Sequence, residues 1–417
     1  MNLGLLSLIL LLVAIVVGFL RNANVGIMCI GFAMVLTLIF KGQVTAGQVI
    51  SGFGTSLFVQ MAGVTYLFAI INHNGTLELM AKKIVELVPA RAIPVVMFFI
   101  GMALSASGPG SIPCLAIIPV ISIPLSVSAG INPIMTAIIG DMGAMAGRMS
   151  PLTPEAAVVR SLMEEQGMEG NTVPIMLCTF MTCIVTGVLV YVYYKGWRVD
   201  AAASGEKEKL PAFTWQQWLS LAGLAVLAVG VLFLGWNVGL TGFLIGTVLI
   251  VAGCGEEKKA VSGIPWNVIL MVLGVGMLMN IVSLSGGIDI LVSALRSFMG
   301  AGSAAPIMAI TAGVMSFFSS GLGVVFPTLV PVCGELASGI GADGVELVAM
   351  VVIGGTIAGY TPISTTGALI MGGVAQQENA DDRFPQNKLF IELFAVSFIN
   401  LAVLATMAIL HVYALII

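Results

Sequence analysis

The stretch Ser105-Ala106-Ser107-Gly108-Pro109-Gly110-Ser111 decides how this chain folds. It interrupts apolar sequence, lying between the runs 93–104 and 112–127. A helix needs about 20 residues to cross a bilayer, and the first run holds only 12. Serine, glycine and proline break helices, and unpaired backbone groups are costly in hydrocarbon. Such a segment must be buried in protein or face a water-filled cavity. The pattern predicts a re-entrant hairpin near 93–128. It returns 213 residues on, where Ser107, Gly108 and Gly110 become Ser320, Gly321 and Gly323. A second hairpin is therefore expected near 305–335. A plainer reading stays open, that small residues merely let helices pack closely.

The surroundings fix the class. Of 417 residues, 59% are hydrophobic and 9% charged, where a soluble domain carries about 25% charged residues. An all-α polytopic membrane protein with roughly 10–12 spans is expected. The 16 lysines and arginines fall mostly in short linkers and the net charge is -4, which leaves no nucleic-acid footprint. The six cysteines are scattered in mostly apolar sequence without metal spacing and read as small hydrophobes. No glycine-rich stretch ends in the lysine-threonine that phosphate cradling needs, so no nucleotide motor is expected in the chain. No nucleophile–base pair stands out, so the chain reads as no enzyme, and no organic cofactor is called for. The run 5–20 has no basic residue before it and another apolar run follows at once. It reads as a retained first span rather than a cleaved signal.

Along the chain the second half replays the first. Leu6-Ser7-Leu8 matches Leu219-Ser220-Leu221, and Asn24-Val25-Gly26 matches Asn237-Val238-Gly239. Gly63 and Gly75 match Gly274 and Gly286, Pro119 matches Pro331, and Ala146-Gly147 matches Ala358-Gly359. In 76–88, Glu78, Lys82, Lys83 and Glu86 alternate with apolar residues at helical spacing. This predicts a helix lying along the interface, with a partner at 287–299. Pro151 and Pro154 interrupt helical sequence and predict a broken helix near 131–162. Pro362 stands in the matching place and predicts another near 345–373. The period is far too long for a solenoid, so this is one duplication. Residues 1–195 form the expected first repeat, 196–217 a polar linker, and 218–417 the second repeat. The repeats are expected to be inverted, because alternating access commonly uses inversion.

The candidate functional residues sit at the interruptions. A hairpin tip exposes helix ends, whose N–H groups favour anions and whose carbonyls favour cations. Hydroxyls can donate to a carboxylate or lend oxygen to a cation. Candidate substrate-binding residues are Ser107, Gly108, Gly110 and Ser111 at the first tip, and Ser320, Gly321 and Gly323 at the second. Arg148, Thr153, Ser364 and Thr365 join them from the helix breaks. Candidate sodium ligands are Ser105, Asp141, Ser150, Ser319 and Thr361. Ordinary capping of broken helices is the alternative for the breaks. A lone carboxylate such as Asp141 is costly in an apolar run. It can bind sodium, carry a proton, or pair with an arginine. Arg148, two helical turns on, can counter Asp141 through water, pair with Glu155, or meet a substrate carboxylate. At offsets of 211 to 212 these charges have no counterparts in the second half, so any role for them is asymmetric.

At Ser107-Gly108-Pro109-Gly110-Ser111 and at Gly140-Asp141-Met142-Gly143-Ala144-Met145-Ala146-Gly147, followed by Ser150-Pro151, the chain resembles the ion transporter superfamily. That superfamily includes divalent anion–sodium symporters and the malonate and C4-dicarboxylate carriers. The likeness spans nearly the whole chain and is nearest the malonate-carrier type. It implies a scaffold that often dimerises and a transport unit with two hairpins and two broken helices. Symporters of this kind carry serine-asparagine-threonine at each tip. Here the tips read Ser107-Gly108-Pro109 and Ser320-Gly321-Leu322, so glycine replaces the asparagine that contacts a substrate carboxylate. The backbone N–H groups of Gly108 and Gly321 would take over, with Arg148 or Thr153 helping. The expectation is elevator-type secondary transport of a small dicarboxylate in a bacterial plasma or inner membrane, by a homodimer coupled to sodium ions or protons. The alternatives are another small organic anion, such as a monocarboxylate or sulfonate, or an anion channel or exporter.

Overall fold

The computed structural model describes residues 3–21, 23–86, 88–198, 210–318, 320–361, 364–375 and 385–417. Regular structure among them is helical. The first half holds α1 (Leu3–Arg21), α2 (Val25–Ile39), α3 (Ala46–Ser51), α4 (Thr55–His73) and α5 (Thr76–Glu86). It continues with α6 (Ile93–Ala106), α7 (Ser111–Ser128), α8 (Pro133–Gly147), α9 (Pro154–Glu164) and α10 (Val173–Tyr193). The second half holds α11 (Trp215–Leu234), α12 (Val238–Val251), α13 (Glu257–Ser262), α14 (Trp266–Leu284) and α15 (Gly287–Arg296). Then come α16 (Ala301–Phe318), α17 (Phe326–Ile340), α18 (Gly344–Ile357), α19 (Thr365–Ala375) and α20 (Gln386–Ile409). Each helix of the first half thus has a counterpart ten places on.

This is a multi-pass membrane protein. By length and composition, six helical segments among the described residues can cross a bilayer, and α15 with α16, bent by 115°, makes a seventh. The expected ten to twelve crossings are reached only when shorter apolar helices are counted. Several of those are the arms of hairpins and broken helices: α6 and α7 form the first hairpin, and α18 is one arm of the second broken helix. The amphipathic pair falls where the charge pattern put it, in α5 and α15, with a Lys82–Glu78 ion pair of 2.7 Å on α5.

Local signals explain the helix ends. The Asn24 side chain accepts from the N–H groups of Gly26 and Ile27, and Asn237 does the same for Gly239 and Leu240. These are side-chain caps for the first free donors of α2 and α12. The stretch 43–54, more polar than its neighbours and rich in glycine and serine, contains α3. Thr45 and Gln48 form a reciprocal capping box at its start, a recognisable signature.

The halves clasp one another. α2 packs on α14, and in the matching place α12 packs on α4. Glycine makes both crossings close. A Cβ on Gly26 would overlap the Leu270 carbonyl, and one on Gly274 would overlap Gly26 itself. The counterparts behave alike: Gly239 meets the Val59 carbonyl, and Gly63 meets Gly239. Side chains repeat the exchange. Ser7 and Ser285 approach to 3.3 Å between hydroxyls, and the Asn74 amide donates to Ser220 at 2.8 Å. The hairpin region follows the same rule. α6 packs on α8 and α16 on α18 within each half, while α9 crosses to α17 and α19 to α7.

Candidate functional site

The two helix breaks have the same hydrogen-bonded form. Thr153 caps α9: its Oγ1 accepts from the Ala156 N–H at 3.2 Å and donates to the carbonyls of Arg148 and Ser150. Ser364 caps α19: its Oγ accepts from the Gly367 N–H at 3.2 Å and donates to the carbonyls of Gly359 and Thr361. Every partner in the second set lies 211 residues beyond its partner in the first. The capping alternative is therefore real for both residues, and their carbonyl contacts also close each break into a compact turn.

The hairpin tips differ from one another. At the first, Gly108 and Gly110 have φ of 143° and 76°, a region that glycine tolerates. Both N–H groups turn back to the Ser105 carbonyl, at 3.3 and 3.2 Å. The N–H expected to meet a substrate from Gly108 is thus engaged in closing the turn. Ser107 Oγ donates to the Leu104 carbonyl at 2.8 Å. At the second tip, 321–325 form a π-helical turn that runs straight into α17. The N–H groups of Val324 and Val325 bond the Ser320 carbonyl, and Gly323 N–H donates to Ser320 Oγ at 3.0 Å. Leu322 replaces Pro109 here, so no N–H is lost and the chain coils instead of opening.

Each tip is bound to its own half's broken helix. Ser150 Oγ donates to the Ala106 carbonyl at 2.7 Å, and Ser316 Oγ to the Gly355 carbonyl at 2.9 Å. A Cβ on Gly321 would also overlap the Gly355 carbonyl. At the first tip the tie is stronger. Ser111, first residue of α7, donates to Glu155 Oε1 from its N–H at 2.7 Å and its hydroxyl at 2.9 Å.

Arg148 joins the halves. Its guanidinium donates from Nη1 to Thr356 Oγ1 on α18 at 2.7 Å and lies 5.2 Å from the ring centroid of Phe326 at the start of α17. Among the described residues it makes no ion pair with Asp141 or Glu155. The partners expected within its own half are replaced by a hydroxyl and an aromatic face from the other. Neither Thr356 nor Phe326 is recognisable in this role from local spacing, because the contact depends on α8 meeting α18.

Among the described residues several buried oxygens have no hydrogen-bond partner: both of Asp141, Ser105 Oγ, Thr361 Oγ1 and Glu155 Oε2. Arg148 Nε is likewise without one. Hard oxygen donors of this type suit an alkali cation, and three of these residues are candidate sodium ligands. Ser150, the fourth, spends its hydroxyl proton on Ala106. Ser319 and the Thr365 side chain lie outside the described residues.

A vestibule of about 940 Å³ opens between α15, α17 and the chain after α9, with Glu169, Asp289, Glu335, Asp343 and Arg296 on its walls, so that acidic side chains predominate among the described residues. An inner cavity of about 220 Å³ adjoins it and runs between α14 and α9 to Pro327, beside Phe326. Gln166, Ser283, Ile288 and Pro331 line both. Gln166 stands out. Its amide donates to the carbonyls of Leu162 and Val330 at 2.6 and 2.9 Å and accepts from the Gly334 N–H at 2.8 Å. It thereby grips two backbone groups of α17 that stand four residues apart, one helical turn.

Interlocked halves, two hairpins and two broken helices define a polytopic helical membrane protein. Residues 1–148 match the family model of the dicarboxylate carrier protein MatC N-terminus. No curated protein sequence matches the chain. Among solved structures it is similar to the YdaH transporter of Alcanivorax borkumensis, whose crystal structure has an unusual topology. The identity is 14% over 90% of this chain and 88% of that one, with a TM-score of 0.63. It is also similar to MtrF of Neisseria gonorrhoeae, described as illuminating a class of antimetabolite efflux pumps, at 14% identity, 89% and 84% coverage and a TM-score of 0.54. At such identity the likeness is one of fold.

Proposed function

We propose that this chain is a secondary carrier for a small dicarboxylate, malonate or a C4-dicarboxylate, in a bacterial plasma or inner membrane. The reading is supported above all by the matched helix breaks, each tied to a hairpin tip, with Arg148 between the halves. The family match over residues 1–148 points to the same substrate class. In this reading 1–195 and 218–417 are the two repeats. Helices α6 to α9 and α16 to α19 move as one body, elevator-fashion, against α1 to α4 and α11 to α14. Substrate carboxylates meet Ser107, Ser111, Thr153, Ser320, Gly321, Ser364 and Thr365, with Arg148 as the cation, while Gly108, Gly110 and Gly323, whose N–H groups close the tips, shape the pocket around them. Asp141, Ser105 and Thr361 hold the coupling sodium ion, with Ser150 and Ser319 beside them; a proton on Asp141 is the other form of coupling. The working unit is a homodimer. The acidic vestibule favours release of an anion over its capture on that side, which is the one observation in favour of an exporter.

The test is uptake of labelled malonate and succinate into vesicles containing the purified protein, with sodium and pH gradients imposed separately. Accumulation above equilibrium, dependent on one gradient, is expected. Absence of uptake and efflux of both acids in folded protein would refute the substrate assignment.

A further inference from the structure

Glu155 is a buried carboxylate, 1% exposed, that the transport reading does not use. It stands at the N-terminus of α7, an 18-residue helix whose first N–H, that of Ser111, points at it. A helix N-terminus attracts anions through its free donors and its dipole. Glu155 Oε1 takes both the N–H and the hydroxyl of Ser111. Its other oxygen, Oε2, has no partner among the described residues and is aimed at the turn, where a Cβ on Gly110 would overlap it. Gly110 is therefore needed both for its positive φ and for room beside this carboxylate. An internal anion thus fills the place where the first tip would bind a substrate carboxylate.

A second observation shows where that anion can go. Arg148 and Glu155 flank the break that Thr153 closes by donating to the Arg148 carbonyl, and among the described residues the Nε–H of Arg148 is buried without a partner. Its other contact, to Thr356, uses Nη1 and leaves that donor open. Beside this break there is thus a carboxylate with a spare oxygen and a guanidinium with a spare N–H. Each is on a side of the first break, α9 or the end of α8.

We infer that Glu155 is a resident counter-anion of the α7 N-terminus, which the substrate's carboxylate displaces onto Arg148. This rests on the carrier reading and makes Glu155 a specificity-determining residue. Only an anion that binds Ser111 better than a tethered carboxylate does can enter, so weakly accepting anions are excluded.

The test is binding to purified protein by titration calorimetry, with malonate, succinate, acetate, methanesulfonate and sulfate as probes. Glu155→Gln keeps an acceptor for Ser111 but removes the charge. It is expected to bind at least one probe on the order of tenfold more tightly, the scale of one charge-assisted hydrogen bond. Glu155→Asp, one methylene shorter, stays charged but reaches Ser111 less well, and a smaller gain is expected. It also serves if the glutamine variant does not fold. Tighter binding of malonate or succinate supports both this inference and the dicarboxylate reading. Tighter binding of only the other probes supports the inference and overturns the dicarboxylate reading. No tightening for any probe in either variant overturns the inference, even where the unmodified protein binds dicarboxylates normally.

Discussion

Replacing Gln166 separates a wedge from a simple surface contact. Its amide makes three hydrogen bonds, two as donor and one as acceptor. In Gln166→Ala all three are lost, at about 1 kcal/mol each. Val330 and Gly334 stay within α17, where helical bonding offsets part of the loss, and the Leu162 carbonyl faces the water of the cavity. The net loss should be about 1–2 kcal/mol. Gln166→Glu keeps the acceptor for Gly334 but turns an anionic oxygen toward two carbonyls. That should cost about 3 kcal/mol, since two acceptors are left facing a charge. Because ionisation is disfavoured in the folded state, the new carboxyl's folded pKa lies above its unfolded value of about 4.3. Its stability is then full below that value and lost as pH rises through the folded pKa. Thermal unfolding in detergent at pH 5 and pH 8 reads this directly. The order of melting temperatures at pH 8 should be unmodified protein, then Gln166→Ala, then Gln166→Glu, with the last recovering at pH 5. A glutamate variant as stable as the alanine variant at pH 8, with no recovery, would refute the wedge.

Gly63→Ala should destabilise by about 1–3 kcal/mol through overpacking against α12, and Gly274→Ala should do the same at the matching crossing; detergent melting curves check both. Arg148→Lys keeps the charge but loses the planar face over Phe326 and the geometry of the Thr356 contact, so substrate binding by calorimetry should weaken at least tenfold while the protein still folds. Thr153→Val and Ser364→Ala each remove a helix cap worth about 1 kcal/mol, and their melting temperatures should fall by similar amounts if the breaks are equivalent.

The sequence was most legible where a short motif answers a backbone need. Asn24 and Asn237 mark helix starts, and Gly26, Gly63, Gly239 and Gly274 mark crossings; all were visible as a repeat before their partners were known. The breaks at Thr153 and Ser364 were equally readable, because a capping hydroxyl acts within a few residues of itself. The second hairpin tip was misjudged as a copy of the first, since the exchange of Pro109 for Leu322 changes the turn while leaving the glycines in place. Contacts between distant elements were not readable. Arg148 on Thr356, Glu155 on Ser111 and Gln166 in α17 depend on which helices meet, and no local spacing encodes that.

The exchange of α2 and α12 between halves bears on how the protein is made. A ribosome delivers α1 to α10 first, and Gly63 then has no crossing partner until α12 emerges. Gly26 must wait longer still, for α14. The first half is thus an unfinished object held in the bilayer by its apolar surface, completed only by the second. The same reciprocity has an evolutionary side. A half-length ancestor could have made both crossings with a second copy of itself, since two-fold contacts are self-complementary. Expressed as two separate chains, the halves should still find each other, and each should be degraded when made alone.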